Sequence, residues 1–342
     1  MANMIGVSNV SQEIVKGWIG DANGVAQEII AGWIGDANGV AQELCFKNGL
    51  GLFIAGGGEY GTVKMSGDGI TWASYDMTVD GATSQNHIMG SLAYGNGIFV
   101  ATINSKLCYS YDGVNYYTAT ITTSVTNSYY QVVFGKGKFV VRGTGATYYS
   151  TNGITWTETY VSTASLYKPK TDGGRLRFVN DKFIYIESGK CEYSENGVTW
   201  VTKNAPTTAV IYDITYAFGK YVAVSYGGQF WYSTDLLTWT QVTKTSGVSI
   251  SARALEVGNN ILVALGYGES SAYTDGVYLD SSLKQAHVTG LTGASSYDNA
   301  FANVAYHEKF VTVGRRYFAY SIDGKTWTQV VLMESMYALI YA

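Results

Sequence analysis

Proline is nearly missing from this 342-residue chain, which holds two, Pro169 and Pro206. Charge is sparse as well: Asp, Glu, Lys and Arg make up 14%, and the net charge is −4. A chain with so few cations has no concentrated basic surface to offer phosphates, so nucleic acid is not expected as a partner. The cysteines Cys45, Cys108 and Cys191 are an odd number without metal-type spacing. They read as small apolar side chains in or beside strands rather than as a disulfide framework. His87, His287 and His307 lie far apart, so neither a metal site nor a cofactor is expected. No run approaches the ~18 apolar residues of a membrane-spanning helix. The start, MANMIGVSNVSQEIVKGWIG, lacks the basic region and apolar core of a secretory signal.

Glycine (41 residues) and tyrosine (29) are abundant, a composition that suits many short strands joined by tight turns. A phrase repeats along the chain: MSGDGITW (65–72), YSYDGVNY (109–116), YSTNGITW (149–156), YSENGVTW (193–200), YSTDLLTW (232–239) and YSIDGKTW (320–327). Its serines are spaced by 44, 40, 44 and 39 residues and then by 88. The last step is twice 44, and a worn copy, AYTDGVYL with Tyr273, Asp275 and Gly276, lies within it. Sixteen residues before the phrase a second turn recurs, as in YGNGIFVA, FGKGKFVV and VNDKFIYI. Asn-Gly and Asp-Gly between β-prone runs are strong hairpin signals, because type I′ turns need positive φ at both central residues. Each unit therefore holds two hairpins. Seven four-stranded antiparallel units of about 40–45 residues make an all-β, seven-bladed β-propeller. The first unit lacks an innermost strand, and the tail SMYALIYA resembles the innermost strands elsewhere. Residues 335–342 are therefore expected to close the ring.

A second repeat occupies the front. QEIVKGWIGDANGVA (12–26) returns as QEIIAGWIGDANGVA (27–41), and QELC begins a third copy at 42. Each copy reads as a small hairpin module with little core of its own. Residues 1–44 are thus expected to form an attachment segment that docks on the propeller, on a symmetry mate or on a larger assembly, with the propeller over 45–342.

The phrase S-x-[DN]-G-x-T-W resembles the Asp-box of sialidases and related β-propellers, one residue shorter than the usual form. The resemblance implies a structural turn between the two outer strands of each blade, away from the functional face. It places Asp68, Asp112, Asn152, Asn196, Asp235, Asp275 and Asp323 in turns. Trp72, Trp156, Trp200, Trp239 and Trp327 then supply packing surface between blades. The tyrosines just before each box (Tyr109, Tyr149, Tyr193, Tyr232, Tyr273 and Tyr320) read as packing residues. The front repeats resemble short modules in bacteriophage tail and fibre proteins.

Two functions follow from these resemblances. One is a virion-associated structural protein of a phage or prophage, located on a tail, fibre or capsid. It would be held to other virion proteins, or to its own copies, through residues 1–44, and would bind a host-surface glycan or protein. The other is a sialidase-like glycoside hydrolase, whose site needs an arginine triad because arginine grips carboxylates bidentately. Six arginines are present, and Arg142, Arg253 and Arg315 come from different blades, but no Arg-Ile-Pro-type motif stands near the first blade. Glu187, Asp213 and Asp76 are carboxylates off the turns. An intracellular interaction propeller of the Kelch kind is disfavoured, because Gly-Gly doublets do not recur in every blade. If the boxes lie on one face, recognition falls to loops of the opposite face. The candidates there are Tyr75, His87, Tyr130, Arg142, Tyr167, Lys168, Tyr226, Tyr267 and Arg315, and no catalytic residue is assigned.

Overall fold

The computed structural model describes residues 3–7, 10–20, 26–35, 41–47, 51–57, 61–121, 129–143, 146–161, 175–247, 250–267, 276–291, 301–314, 317–331 and 335–342. Up to residue 47, and at 129–130, 160–161, 267, 301–302 and 331, only the backbone is described. The chain forms two compact units, Met1–Phe53 and Ile54–Ala342.

The first unit is a four-stranded antiparallel meander of Asn3–Val7, Val10–Gly20, Ala26–Gly35 and Ala41–Lys47. The 15-residue repeat governs its register. Trp18 lies opposite Glu28, and one repeat later Trp33 lies opposite Glu43.

The second unit is a seven-bladed β-propeller of antiparallel blades, each built on four strands. The innermost strands of blades two to seven are Met89–Gly95, Tyr129–Gly135, Arg175–Val179, Ile211–Ala217, Ser251–Gly258 and Phe301–His307. Blade one runs Met336–Tyr341, Phe53–Gly57, Thr62–Ser66 and Ala73–Asp76 from inside to outside. The C-terminal strand therefore closes the ring, as the tail sequence implies.

In blades two to six the turn between first and second strands takes positive φ at both central residues, as at Asn96 and Gly97 (51° and 76°), Lys136 and Gly137 (48° and 69°), and Asn180 and Asp181 (46° and 59°). These are the I′ turns expected from the sequence. The second strands, such as Ile98–Ile103 and Lys182–Glu187, are buried along most of their length. They lie between two neighbouring blades, which is why they read as continuous apolar runs. Each buried cluster bridges adjacent blades: Val100 with Val141 and Trp156, Ile184 with Ile214, Leu255 with Val224. Cys108 and Cys191 belong to this interior as free thiols, and burial pushes both up to about 12.

The repeated phrase forms a hydrogen-bonded turn between third and fourth strands in six blades. The serine hydroxyl donates to the Asp or Asn side-chain oxygen, at 2.9 Å for Ser66–Asp68 and 3.2 Å for Ser194–Asn196. That oxygen accepts two backbone N–H groups, from Ile70 and Thr71 in the first blade and from Val114 and Asn115 in the second. Gly153 has φ 73°, and a Cβ there would meet Val100 Cγ2 of the preceding blade at 2.8 Å. Trp156 and Trp327 are buried and donate to Gly153 O and Gly324 O, while Trp72 packs edge-on against Phe318 of blade seven.

The sixth blade corrects the sequence reading. Gly276 closes no turn. It begins the third strand, Gly276–Leu279, and pairs with Leu265; Asp275, taken as the turn acid, precedes it outside the described residues. The turn follows at 280–284. Leu279 stands where the other blades have serine, Asp280 Oδ1 accepts from Ser282 N and Lys284 N, and Leu283 takes positive φ without being glycine.

Candidate functional site

An innermost propeller strand is hydrogen-bonded on one side only. Its inward backbone groups face the central channel and need partners. Five positions before the first positive-φ residue of the turn stand Ser91, Gln131, Arg175, Asp213 and Asn303 in blades two, three, four, five and seven, and all but Arg175 bond a backbone group of the next blade. Bulges between Met89 and Ser91, Tyr129 and Gln131, Ile211 and Asp213, Ala252 and Ala254, and Phe301 and Asn303 shift the strand at this level. A bulge re-aims the side chain that follows it.

The polar side chains then bond to the next blade. Ser91 Oγ accepts from Val132 N at 3.2 Å, Gln131 Oε1 from Leu176 N at 2.5 Å, and Asp213 Oδ2 from Leu255 N at 2.8 Å. Asn303 donates to Tyr337 O of blade one. Arg175 reaches from blade four to Asn303 Oδ1 of blade seven at 2.7 Å. Arg177 meets Asp213 through Nε at 2.8 Å and Nη2 at 2.5 Å, and also donates to Leu255 O at 3.0 Å. The channel holds a cavity of about 320 Å³ whose wall includes Ser91, Gln131, Arg175, Arg177, Thr215 and Glu256.

The charges here are tightly balanced. Burial works against the Asp213 carboxylate, but Arg177 and Arg175 outweigh it and hold the group below its ordinary range. Burial likewise opposes charge on Arg177, and Asp213 reverses it, raising that guanidinium. Arg175, 3.4 Å from Asp213, is drawn down to about 10 by burial. Burial in the channel wall pushes Glu256 up to about 7 despite the arginines. Among the described residues Glu256 forms no ion pair within 4 Å.

The sequence-derived candidates are dispersed. Tyr75 lies half-buried on the outermost strand of blade one, His87 in the connection to blade two, and Tyr226 exposed in the second-to-third-strand turn of blade five. Arg142 is not a loop residue. It is 1% exposed on the strand Lys138–Gly143, donates to Glu192 Oε2 at 2.7 Å and to Thr147, and stacks over Tyr185 at 4.3 Å. Arg253 lies over Tyr212 at 3.9 Å. Glu187 accepts from Tyr185. Tyr130 and Tyr267 sit on strands whose side chains there are not described, and Tyr167, Lys168 and Arg315 fall outside the described residues. Sequence reasoning missed the channel set. Its signal is a polar residue three positions before the hydrophobic residue ahead of each I′ turn, in Ser91 before Tyr94 and Asp213 before Tyr216.

No protein-family model matches the chain, and no curated protein matches it in sequence. Solved structures do. Virginiamycin B lyase from Staphylococcus aureus superposes with a TM-score of 0.54 at 11% identity, covering 97% of this chain and 99% of that one. Saccharomyces cerevisiae Sqt1 gives 0.54 at 9% identity, with 75% and 78% covered. The WD40 β-propeller domain of Doa1 gives 0.50 at 12%, with 75% and 84% covered. At such identities the likeness is one of fold, and that fold is the β-propeller.

Proposed function

We propose that this protein is a binding and attachment component of a phage or prophage particle. The front repeats join it to other virion proteins, and the Asp-box-type propeller contacts a glycan or protein of the host surface. The observation that favours a binder over a sialidase-like hydrolase is the state of the arginines. Arg142 is neutralised by Glu192 inside a blade seam, and Arg175 and Arg177 are engaged with Asp213 and Asn303. An arginine triad has to be free to grip a carboxylate. The charged groups of the channel bridge blades, which suits a rigid scaffold that presents loops for recognition.

Imaging of particles labelled with antibody against the propeller tests the location: label on intact particles is expected, and its absence sinks the virion assignment. Incubation with sialylated glycans and bacterial surface polysaccharide is expected to release no sugar. Release abolished by Arg253→Ala or Arg315→Ala would instead establish the hydrolase.

A further inference from the structure

The seven blades repeat one another, so each shows what the fold needs at a given position. Before the fastening turn, a tyrosine is what most blades use. Tyr109 fills that place in blade two and packs half-buried against the seam with blade three. Around it, blade two departs from its siblings. Opposite this tyrosine, the other blades carry Ala73, Thr157, Val201, Thr240, Ala286 or Thr328, whereas blade two carries Tyr117. After the serine, other blades have Gly67, Thr151, Glu195, Thr234 or Ile322, whereas blade two has Tyr111. The fold forms six times without these two rings.

The rings are exposed and held in place. Tyr111 is 63% and Tyr117 45% exposed. Tyr109 contacts Tyr111 edge-on with centroids 5.9 Å apart and Tyr117 at 5.7 Å. Aromatic pairs of this kind fix one another's orientation. Behind Tyr117 the blade is braced by an added hairpin: Thr78–Val79 pairs with Asn115 and Tyr116, and Asp80 accepts from Thr118 N and Oγ1 at 2.9 and 2.7 Å.

The two outer rings offer on the order of 200 Å² between them, far below the roughly 800 Å² a side of a stable protein interface. The area suits one or two sugar rings. A pyranose has an apolar face of C–H groups and a polar equator of hydroxyls, which matches the flat face and polar tip of tyrosine. We propose that Tyr109, Tyr111 and Tyr117 form a platform on blade two for a neutral pyranose of a surface glycan. This rests on the reading of the propeller as a surface-binding module, and it gives that module a ligand class and a place on the outer rim, beside a fastening turn.

The test titrates wild-type protein and Tyr111→Ala/Tyr117→Ala with chitohexaose, cellohexaose and maltohexaose by saturation-transfer NMR, alongside adhesion to the cells the particle adsorbs to. Wild type is expected to bind at least one oligosaccharide. The double variant should bind about tenfold more weakly, the loss of about 1.4 kcal/mol of stacking, with an unchanged melting temperature. Tyr111→Phe/Tyr117→Phe should keep most of the affinity. Equal binding by the alanine variant overturns the platform, as does wild type that binds none of the three. Adhesion of wild-type protein to cells judges the surface-binding reading separately, so the platform can fail while that reading stands.

Discussion

Replacing Asp213 by asparagine removes one charge from the channel and turns the oxygen that accepts from Leu255 N and Arg177 Nη2 into a donor. The side chain stays the same size and can still accept from Ile214 N and from one arginine. It loses the charge that balances Arg177 at 2.5 Å and Arg175 at 3.4 Å. Those two guanidiniums then face each other across a site that is buried on the Asp213 side. Breaking a buried ion pair by removing one partner costs 3–5 kcal/mol. The arginine side chains retain 19% and 21% exposure to channel water, which argues for the lower end, about 3 kcal/mol. For a domain of this size 1 kcal/mol moves the melting temperature by about 2 °C, so Asp213→Asn should melt about 6 °C lower by circular dichroism. Asp213 titrates below its ordinary value in the folded state, so its contribution is complete above about pH 4 and lost as acid protonates it. The gap between wild type and variant should therefore close in strong acid. Arg177→Met alone should cost a similar amount, and Arg177→Met/Asp213→Leu less than the sum, since the Arg177–Asp213 pair is removed whole and only Arg175 loses its carboxylate. A variant melting within about 1 °C of wild type at neutral pH would refute the reasoning, as would additivity in the double variant.

Other perturbations have expected outcomes as well. Glu256 is pushed up to about 7, so the folded state holds its proton more tightly than the unfolded chain and stability falls as pH rises from about 4.5 through 7. Glu256→Gln should flatten that fall and be more stable than wild type at pH 8, by on the order of 1 kcal/mol, in urea titrations at several pH values. Gly135→Ala would place a methyl 2.3 Å from the Phe178 ring of the next blade, and calorimetry should show a loss of about 1–3 kcal/mol. Lys136 sits exposed at φ 48° where sister turns use Asn96, Asn180 and Asn259. Lys136→Asn should stabilise the protein by a few tenths of a kcal/mol to about 1 kcal/mol, read as a higher denaturant midpoint.

The blades and the closing strand are legible in the sequence because local chemistry dictates them. Type I′ turns demand particular residues at Asn96–Gly97, and the fastening turn needs a serine, an acid or amide, and usually glycine. Where that chemistry drifts, legibility fails. In the sixth blade Asp280 and Leu283 do the work of the turn acid and glycine, while the more familiar-looking Thr-Asp-Gly stands before and at the start of a strand. The channel set is harder to see. Arg175, Asp213 and Asn303 are far apart in sequence and meet only because the ring brings innermost strands together, and Asp213 and Asn303 follow bulges that shift the period-two alternation. Arg142 misleads for a related reason. Next to a glycine it reads as a loop cation, yet its partner Glu192 is 50 residues away on another blade.

The strand Met336–Tyr341 completes a sheet begun by Phe53–Gly57, so the first blade to leave the ribosome is the last to be finished. Nearly 280 residues of chain must be synthesised while the second strand of blade one waits with an uncovered edge. Exposed edges invite pairing with other chains. Synthesis order thus makes the opening blade the period of greatest risk, which ends when Met336–Tyr341 pairs with it.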